Sequence, residues 1–296
     1  MGQAFADAFP VCRETMAEAD AALGESLSGL CYNGPEDQLV LTENTQPAIL
    51  AVSTAVARLL VSRGVRPAFV AGHSLGEYSA HVAAGTIAFG DALRIVRRRG
   101  RYMQEAVPVG QGAMAAILGL EADKVIEACA EAAQGDVVSA ANLNAPGQVV
   151  IAGSKAAVAR AIEQAKARGA KRAIPLPVSA PFHCALMKPA EERLAPELRA
   201  LATSRPLVPV VANVDAEPRR DASSAIEALV AQVSSPVRWE QVMQRLASEG
   251  IRKYVEVGPG TVLTGLGRKI VKDGAFVTLD APGDLDAAVA ELLNNG

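Results

Sequence analysis

The pentapeptide Gly72-His73-Ser74-Leu75-Gly76 lies between a short apolar run, Pro67 to Ala71, and a small-residue stretch of helical character that reaches about residue 84. That order is strand, sharp turn, helix, and it constrains the fold more than any other segment. Gly-x-Ser-x-Gly in this setting puts the serine on a strained turn, where a Cβ on either flanking position is expected to clash. The turn lifts the serine Oγ out of the sheet. It also aims the backbone N–H of Leu75, at a helix N-terminus, toward the place where an oxyanion develops. From average Gly and Ser usage, the pattern arises by chance only about a tenth of a time in a chain of 296 residues. The expected chemistry is nucleophilic, with Ser74 as nucleophile and Leu75 as oxyanion donor.

A serine nucleophile needs a base, and the chain holds three histidines, at 73, 81 and 183. His73 is the immediate neighbour of Ser74, and adjacent side chains on a sharp turn diverge. His81 is seven residues further along the helix, roughly 10 Å away and beyond hydrogen-bond reach. Elimination leaves His183, in the loop Pro181-Phe182-His183-Cys184.

A second helix, Asp91 to Glu105, carries an anomaly. Ala92, Ile95, Val96, Tyr102 and Met103 form one apolar stripe on a 3.6-residue wheel, and Arg94, Arg97, Arg98 and Arg101 lie opposite. Arg99 falls inside the apolar stripe. A buried guanidinium needs a carboxylate partner. The partner is either an internal Asp or Glu, or a substrate carboxylate held in a two-pronged fork. Beside a nucleophilic serine, the second choice implies an acyl group with a free acid.

Between these features and the C-terminal third, the chain changes character. Residues 113–120, 137–145, 148–153 and 171–179 read as strands, and 121–133 and 155–169 as helices. The order β-α-β-β-α-β is that of a ferredoxin-like module. It reads as an insert in a larger α/β domain with a parallel sheet. Flanking it, helix is expected over the first 35 residues, 46–63, 185–203, 223–233, 239–249 and 283–294, with a further helix opening after Gly260. Strands are expected at 207–213 and 253–257.

Composition removes several alternatives. Lys+Arg number 29 against 32 Asp+Glu, and aromatics are 4%, so neither a basic surface nor a base-stacking platform for nucleic acid is present. The four cysteines at 12, 31, 129 and 184 form no C-x-x-C pair, which fits a reducing, cytoplasmic setting. With three scattered histidines they match no metal-ligand spacing, and no phosphate loop or dinucleotide fingerprint occurs. The longest apolar run, Ile49 to Val61, contains Arg58 and falls short of the roughly 20 residues a membrane span needs. The opening MGQAFADAFP has neither the basic region nor the apolar core of a signal peptide. Ala6 breaks the myristoylation motif.

Five stretches, AGHSLGEYSA (71–80), RGRYMQEAVP (99–108), NLNAPGQVVIAG (142–153), LPVSAPFHCALMKP (176–189) and EVGPGTVLTGL (256–266), run along the chain in one order. In them the sequence resembles the malonyl-CoA:acyl carrier protein transacylases of fatty-acid synthesis. The resemblance implies an α/β-hydrolase-like core over 1–108 and 181–296 with a ferredoxin-like insert over 109–180. It makes Ser74 the nucleophile, His183 its base and Arg99 the group that binds the malonyl carboxylate. Gln232 falls where a backbone carbonyl orients the histidine in place of an acid. His73, Met103, Asn144 and Phe182 count as substrate-binding, with Phe182 matching the malonyl-preferring form of its loop.

The implied partners are malonyl-CoA and acyl carrier protein, with no cofactor beyond the coenzyme A thioester and with a monomeric, cytoplasmic enzyme. The family begins with a strand and a G-Q-G-x-Q loop whose glutamine lies at the oxyanion site. Here the first residues read as the following helix, and Gly110-Gln111-Gly112 is no substitute because no strand precedes it. About twenty residues of strand and loop are therefore expected in frame upstream of Met1. Two other readings stay open: a serine esterase or thioesterase, marked by an acid on the histidine, and an inactive scaffold that binds carrier protein.

Overall fold

The computed structural model describes residues 1–178 and 180–294. Helices dominate both ends of the chain. The expected N-terminal helix is three helices, Gln3–Ala8, Pro10–Leu23 and Leu27–Asn33. Gly24, with φ 70°, closes the second of them. The long helix Thr42–Ser62 is apolar on almost every side, and Leu50, Ala51, Val52, Ala55, Val56 and Leu59 are all buried. By length and composition it could cross a membrane, yet 67% of its apolar 18-residue stretch is buried inside the protein, as in a core helix. Arg58, on its exposed edge, pairs with Glu18 at 2.5 Å.

Among the described residues nine strands follow in chain order: β1 Val70–Ala71, β2 Gly112–Leu118, β3 Val138–Ala145, β4 Gln148–Ser154, β5 Arg172–Pro175, β6 Val210–Val211, β7 Pro218–Arg219, β8 Lys253–Val255 and β9 Ala275–Val277. Neither β7 nor β9 is foreseen from the sequence. β1 pairs in parallel with β6, which β7 extends antiparallel, and β8 pairs in parallel with β9. The expected parallel pairing of the core is present, as two separate parallel pairs. The reason is local: each strand runs only two or three residues, and no described strand bridges β1 and β8.

β2 to β5 form an antiparallel sheet in the order β3-β4-β2-β5, with helices Ala122–Ala133 and Lys155–Ala167 connecting them. Its period-2 alternation buries both faces. Ala115, Ile117, Val149 and Ile151 pack against Val125, Ala128, Cys129, Val158 and Ala161 of the two helices. Met114, Val150 and Ala152 point the other way, onto Cys184 with Phe182 and Leu186. The loop that carries His183 is therefore backed by this sheet. β5 ends at Pro175 rather than continuing to 179, because Pro175 and Pro177 have no N–H to give a ladder. Ser179 lies outside the described residues.

β3 is also tied to the segment after the helix Ala222–Gln232. Leu143 donates to the Val237 carbonyl at 2.9 Å, and the Val237 N–H donates to that of Ala141 at 2.9 Å. Register shifts at Ala140/Asn142 and Leu143/Ala145 bend β3 there, which re-aims its side chains.

Candidate active site

β1 ends at Ala71, and the chain turns through Gly72, His73 and Ser74 into the helix Leu75–Ala83. Ser74 has φ 51° and ψ −106°, a conformation non-glycine residues rarely adopt. A Cβ on Gly72 would lie 2.0 Å from the Gly76 carbonyl carbon, so only glycine fits. Gly76 is different: a Cβ there meets nothing within 4 Å. The expectation of a clash on both flanks holds at Gly72 alone, because the helix curls back over that residue. Leu75 N–H is the first of its helix and has no intrahelical acceptor by position.

Ser74 Oγ and His183 Nε2 are 2.6 Å apart, and His183 Nδ1 is 3.0 Å from the Gln232 carbonyl oxygen. A carbonyl only accepts, so Nδ1 carries the proton and Nε2 presents its lone pair to the serine. His183 is 3% exposed and has φ 59°. It is one of four described non-glycine residues with positive φ, and Ser74 is another. Strain thus concentrates at the pair. Burial first, and the Arg99 charge second, push the His183 pKa down to about 3. The imidazole is therefore neutral, and able to accept a proton, throughout the neutral range.

The helix Phe89–Glu105 carries Arg99 into the core, where it is 2% exposed. Gly100 lets that helix press on the first turn of Thr42–Ser62: a Cβ would meet the Thr42 carbonyl oxygen at 2.6 Å. The close approach brings in Gln46, whose Oε1 accepts from Arg99 Nη1 at 2.8 Å. Arg99 Nη2 donates to Gln232 Oε1 at 2.9 Å and to Ser74 Oγ at 3.1 Å, and the guanidinium carbon lies 5.3 Å from the Tyr78 ring centre. No Arg99–carboxylate ion pair occurs among the described residues. The internal-acid alternative is not what the structure presents; neutral amide oxygens hold the fork instead. Arg94, Arg97, Arg98 and Arg101 pair with Asp91, Glu25, Glu197 and Glu43 respectively.

His73 Nε2 is 2.8 Å from Asn144 Oδ1 on β3, and the His73 ring lies 5.7 Å from Trp239. Phe182 is half-buried between two apolar clusters. Met103 is 1% exposed and packs in the core one turn from Arg99, which makes it a packing residue of the arginine helix.

Three residues of the site escape the sequence reading. Asn213, just past β6, accepts the Ser74 N–H at 2.7 Å with Oδ1 and donates to the Gly72 carbonyl at 2.8 Å with Nδ2. Glu77 Oε2 accepts from Asn213 N at 3.1 Å and from Gln232 Nε2 at 2.7 Å. Gln46 is the third. The available signal for Asn213 was a polar residue directly after the apolar run Pro209 to Ala212. For Glu77 it was a carboxylate one turn into a helix that packs in the core.

His81, the rejected base, is fully buried on the same helix as Glu77, and neither ring nitrogen has a hydrogen-bond partner among the described residues. Burial lowers its pKa to about 4 from 6.5. The folded value is depressed, so the unfolded chain takes up the proton first. Stability is intact above pH 6.5 and is lost as pH falls toward 4. The loss is about 2 kcal/mol by pH 5 on the same linkage. His81→Leu removes this contribution. Its melting temperature should drop less than the parent's between pH 8 and pH 5; equal drops would contradict the assignment.

Comparison with known proteins shows the family. The acyl transferase domain model matches residues 1–293. The malonyl CoA-acyl carrier protein transacylase of Salmonella typhimurium is 51% identical over 284 residues, covering 96% of this chain and 92% of that protein. The chain belongs to the malonyl-CoA:acyl carrier protein transacylase family. An acyl carrier protein S-malonyltransferase structure from Vibrio cholerae superposes on this transacylase with a TM-score of 0.95 at 49% identity, covering 97% of this chain and 94% of that one. A malonyl-transacylase solved in complex with its type II PKS acyl-carrier protein gives a TM-score of 0.96 at 48% identity, with coverage of 98% and 94%. The transacylase fold is the α/β-hydrolase-like core with a ferredoxin-like subdomain.

Proposed function

We propose that the chain moves a malonyl group from coenzyme A to the pantetheine thiol of acyl carrier protein through an ester on Ser74. As Ser74 Oγ attacks the thioester carbonyl, its proton passes to His183 Nε2. The Gln232 carbonyl holds Nδ1–H and keeps the ring aligned, and the Leu75 N–H stabilises the oxyanion. The coenzyme A sulfur leaves and takes the proton from His183. The carrier thiol then gives its proton to the same nitrogen and attacks the ester, and Ser74 Oγ is reprotonated. The chemistry is carried by these side chains and the thioester itself.

The observation that carries this reading is a buried cation 3.1 Å from the nucleophile with no internal acid paired to it among the described residues. Arg99 fits a carboxylate on the acyl chain. It also depresses the His183 pKa, so a malonyl carboxylate that neutralises Arg99 makes the base stronger as the correct acyl group arrives. A neutral acetyl group brings no such gain. The esterase reading is weaker because the histidine is oriented by a backbone carbonyl rather than an acid.

His73 and Asn144 join the elbow to β3 where the two parts of the chain meet, a position suited to the pantetheine arm, with Phe182 lining the malonyl side. On this reading the catalytic core is 1–108 and 181–296, the insert is 109–180, and the enzyme acts as a cytoplasmic monomer. Brief mixing with malonyl-CoA should leave one malonyl group on the protein, mapped by peptide mass spectrometry to Ser74 and discharged by carrier protein. Rapid release of free malonate without an adduct would favour the hydrolase instead.

A further inference from the structure

Glu77 lies beneath the site and takes no part in the steps above. It is fully buried, yet its carboxylate touches two of the elements that hold the catalytic groups. Oε2 accepts from Gln232 Nε2 at 2.7 Å and from Asn213 N at 3.1 Å, while Oε1 has no partner among the described residues. Gln232 in turn has three duties. Its backbone oxygen holds His183, its Oε1 accepts from Arg99, and its Nε2 also donates to the Ser74 carbonyl at 2.9 Å. Arg99 can only donate and the Ser74 carbonyl can only accept, so the amide has one workable orientation. Asn213, the other partner of Glu77, holds Ser74 N–H and the Gly72 carbonyl. One carboxylate oxygen thus links the elbow, the end of β6 and the end of the helix Ala222–Gln232.

We propose that Glu77 is a positioning residue for acyl-group selection: its Oε2 locks the Gln232 amide with Oε1 toward Arg99, and so aims the guanidinium at the acyl carboxylate. This rests on the role assigned to Arg99 above. What the lock requires is an acceptor at the Oε2 position, not a negative charge. A neutral Glu77 protonated on the unpartnered Oε1 still offers Oε2 to both donors.

Two conservative variants separate the possibilities. Glu77→Gln keeps an acceptor oxygen in place and removes the charge. Glu77→Asp keeps the charge and draws the acceptor back by about one C–C bond, roughly 1.5 Å. The readout is the ratio of kcat/KM for malonyl-CoA to that for acetyl-CoA, with KM and kcat measured separately and melting temperature as a control for folding. Glu77→Gln should stay within about 3-fold of the parent ratio. Glu77→Asp should lower it by about 10-fold or more, chiefly through a higher KM for malonyl-CoA. The proposal is overturned if Glu77→Asp keeps the ratio, if Glu77→Gln loses as much as Glu77→Asp, or if both substrates suffer equally. Arg99→Ala, measured alongside, tells the two failures apart. If Arg99→Ala retains malonyl preference, the Arg99 reading is at fault; if only Glu77→Asp retains it, the lock is.

Discussion

Ser74→Ala should abolish the malonyl adduct and lower transfer to carrier protein by about 10³–10⁶-fold. Alanine is the informative replacement. Ser74 sits at φ 51°, and alanine carries the same Cβ and hence the same backbone strain. Glycine would relax the elbow and mix a stability gain with the loss of the nucleophile. The N–H of Ser74 still finds Asn213 Oδ1, so the turn keeps its shape. Binding of malonyl-CoA should survive, measurable by calorimetry, because Arg99 and the Leu75 N–H remain. An alanine variant that still forms the adduct would place the nucleophile elsewhere.

His183→Ala should lower the acylation rate by about 10²–10⁴-fold, the usual range for removing a positioned base. The serine loses its only proton acceptor, and Arg99, 3.1 Å from Oγ, remains as a cation that cannot accept a proton. Because nucleophile and base act as a unit, the Ser74→Ala/His183→Ala double variant should be no slower than Ser74→Ala alone. Rapid-quench measurement of the adduct checks the first statement, and residual transfer to carrier protein checks the second; additive losses would mean that the two residues act in separate steps. In the parent enzyme the low His183 pKa predicts no loss of acylation between about pH 8 and pH 5, since protonation begins only as pH falls toward 3.

The elements that announce themselves in the sequence are those whose residues repeat a pattern. The insert is legible because its strands alternate and its helices keep a 3.6-residue stripe; β2, β3 and β4 and both helices lie within a residue or two of their expected places. The core strands are less legible. β1, β6 and β7 are two residues each, so periodicity has nothing to count, and the three-residue β9 owes its pairing to β8 across an intervening helix. The N-terminal helix breaks at Phe9, directly before Pro10, and at Gly24 with φ 70°, two local stop signals that a single-helix reading passes over.

At the site, Ser74, Leu75 and Arg99 can be read locally, one pair from a turn motif and the other from a charge on the wrong side of a wheel. His183 follows from elimination. Gln232 enters only through resemblance, since a backbone carbonyl has no side-chain signature. Asn213, Glu77 and Gln46 are polar residues whose meaning lies wholly in what they face: Ser74 N–H, the Gln232 amide and the Arg99 fork. No spacing within a segment encodes those contacts.

The central claim is that Arg99 selects the acyl group by its negative charge. The measurement that tests it is kcat/KM of Arg99→Ala for malonyl-CoA and acetyl-CoA side by side. Removing one member of a buried ion pair costs about 2–5 kcal/mol, so malonyl transfer should fall by roughly 30- to 5,000-fold. Acetyl transfer should hold or rise, because His183 is freed of a neighbouring cation. Undiminished malonyl preference, or an equal fall for both thioesters, would contradict the account.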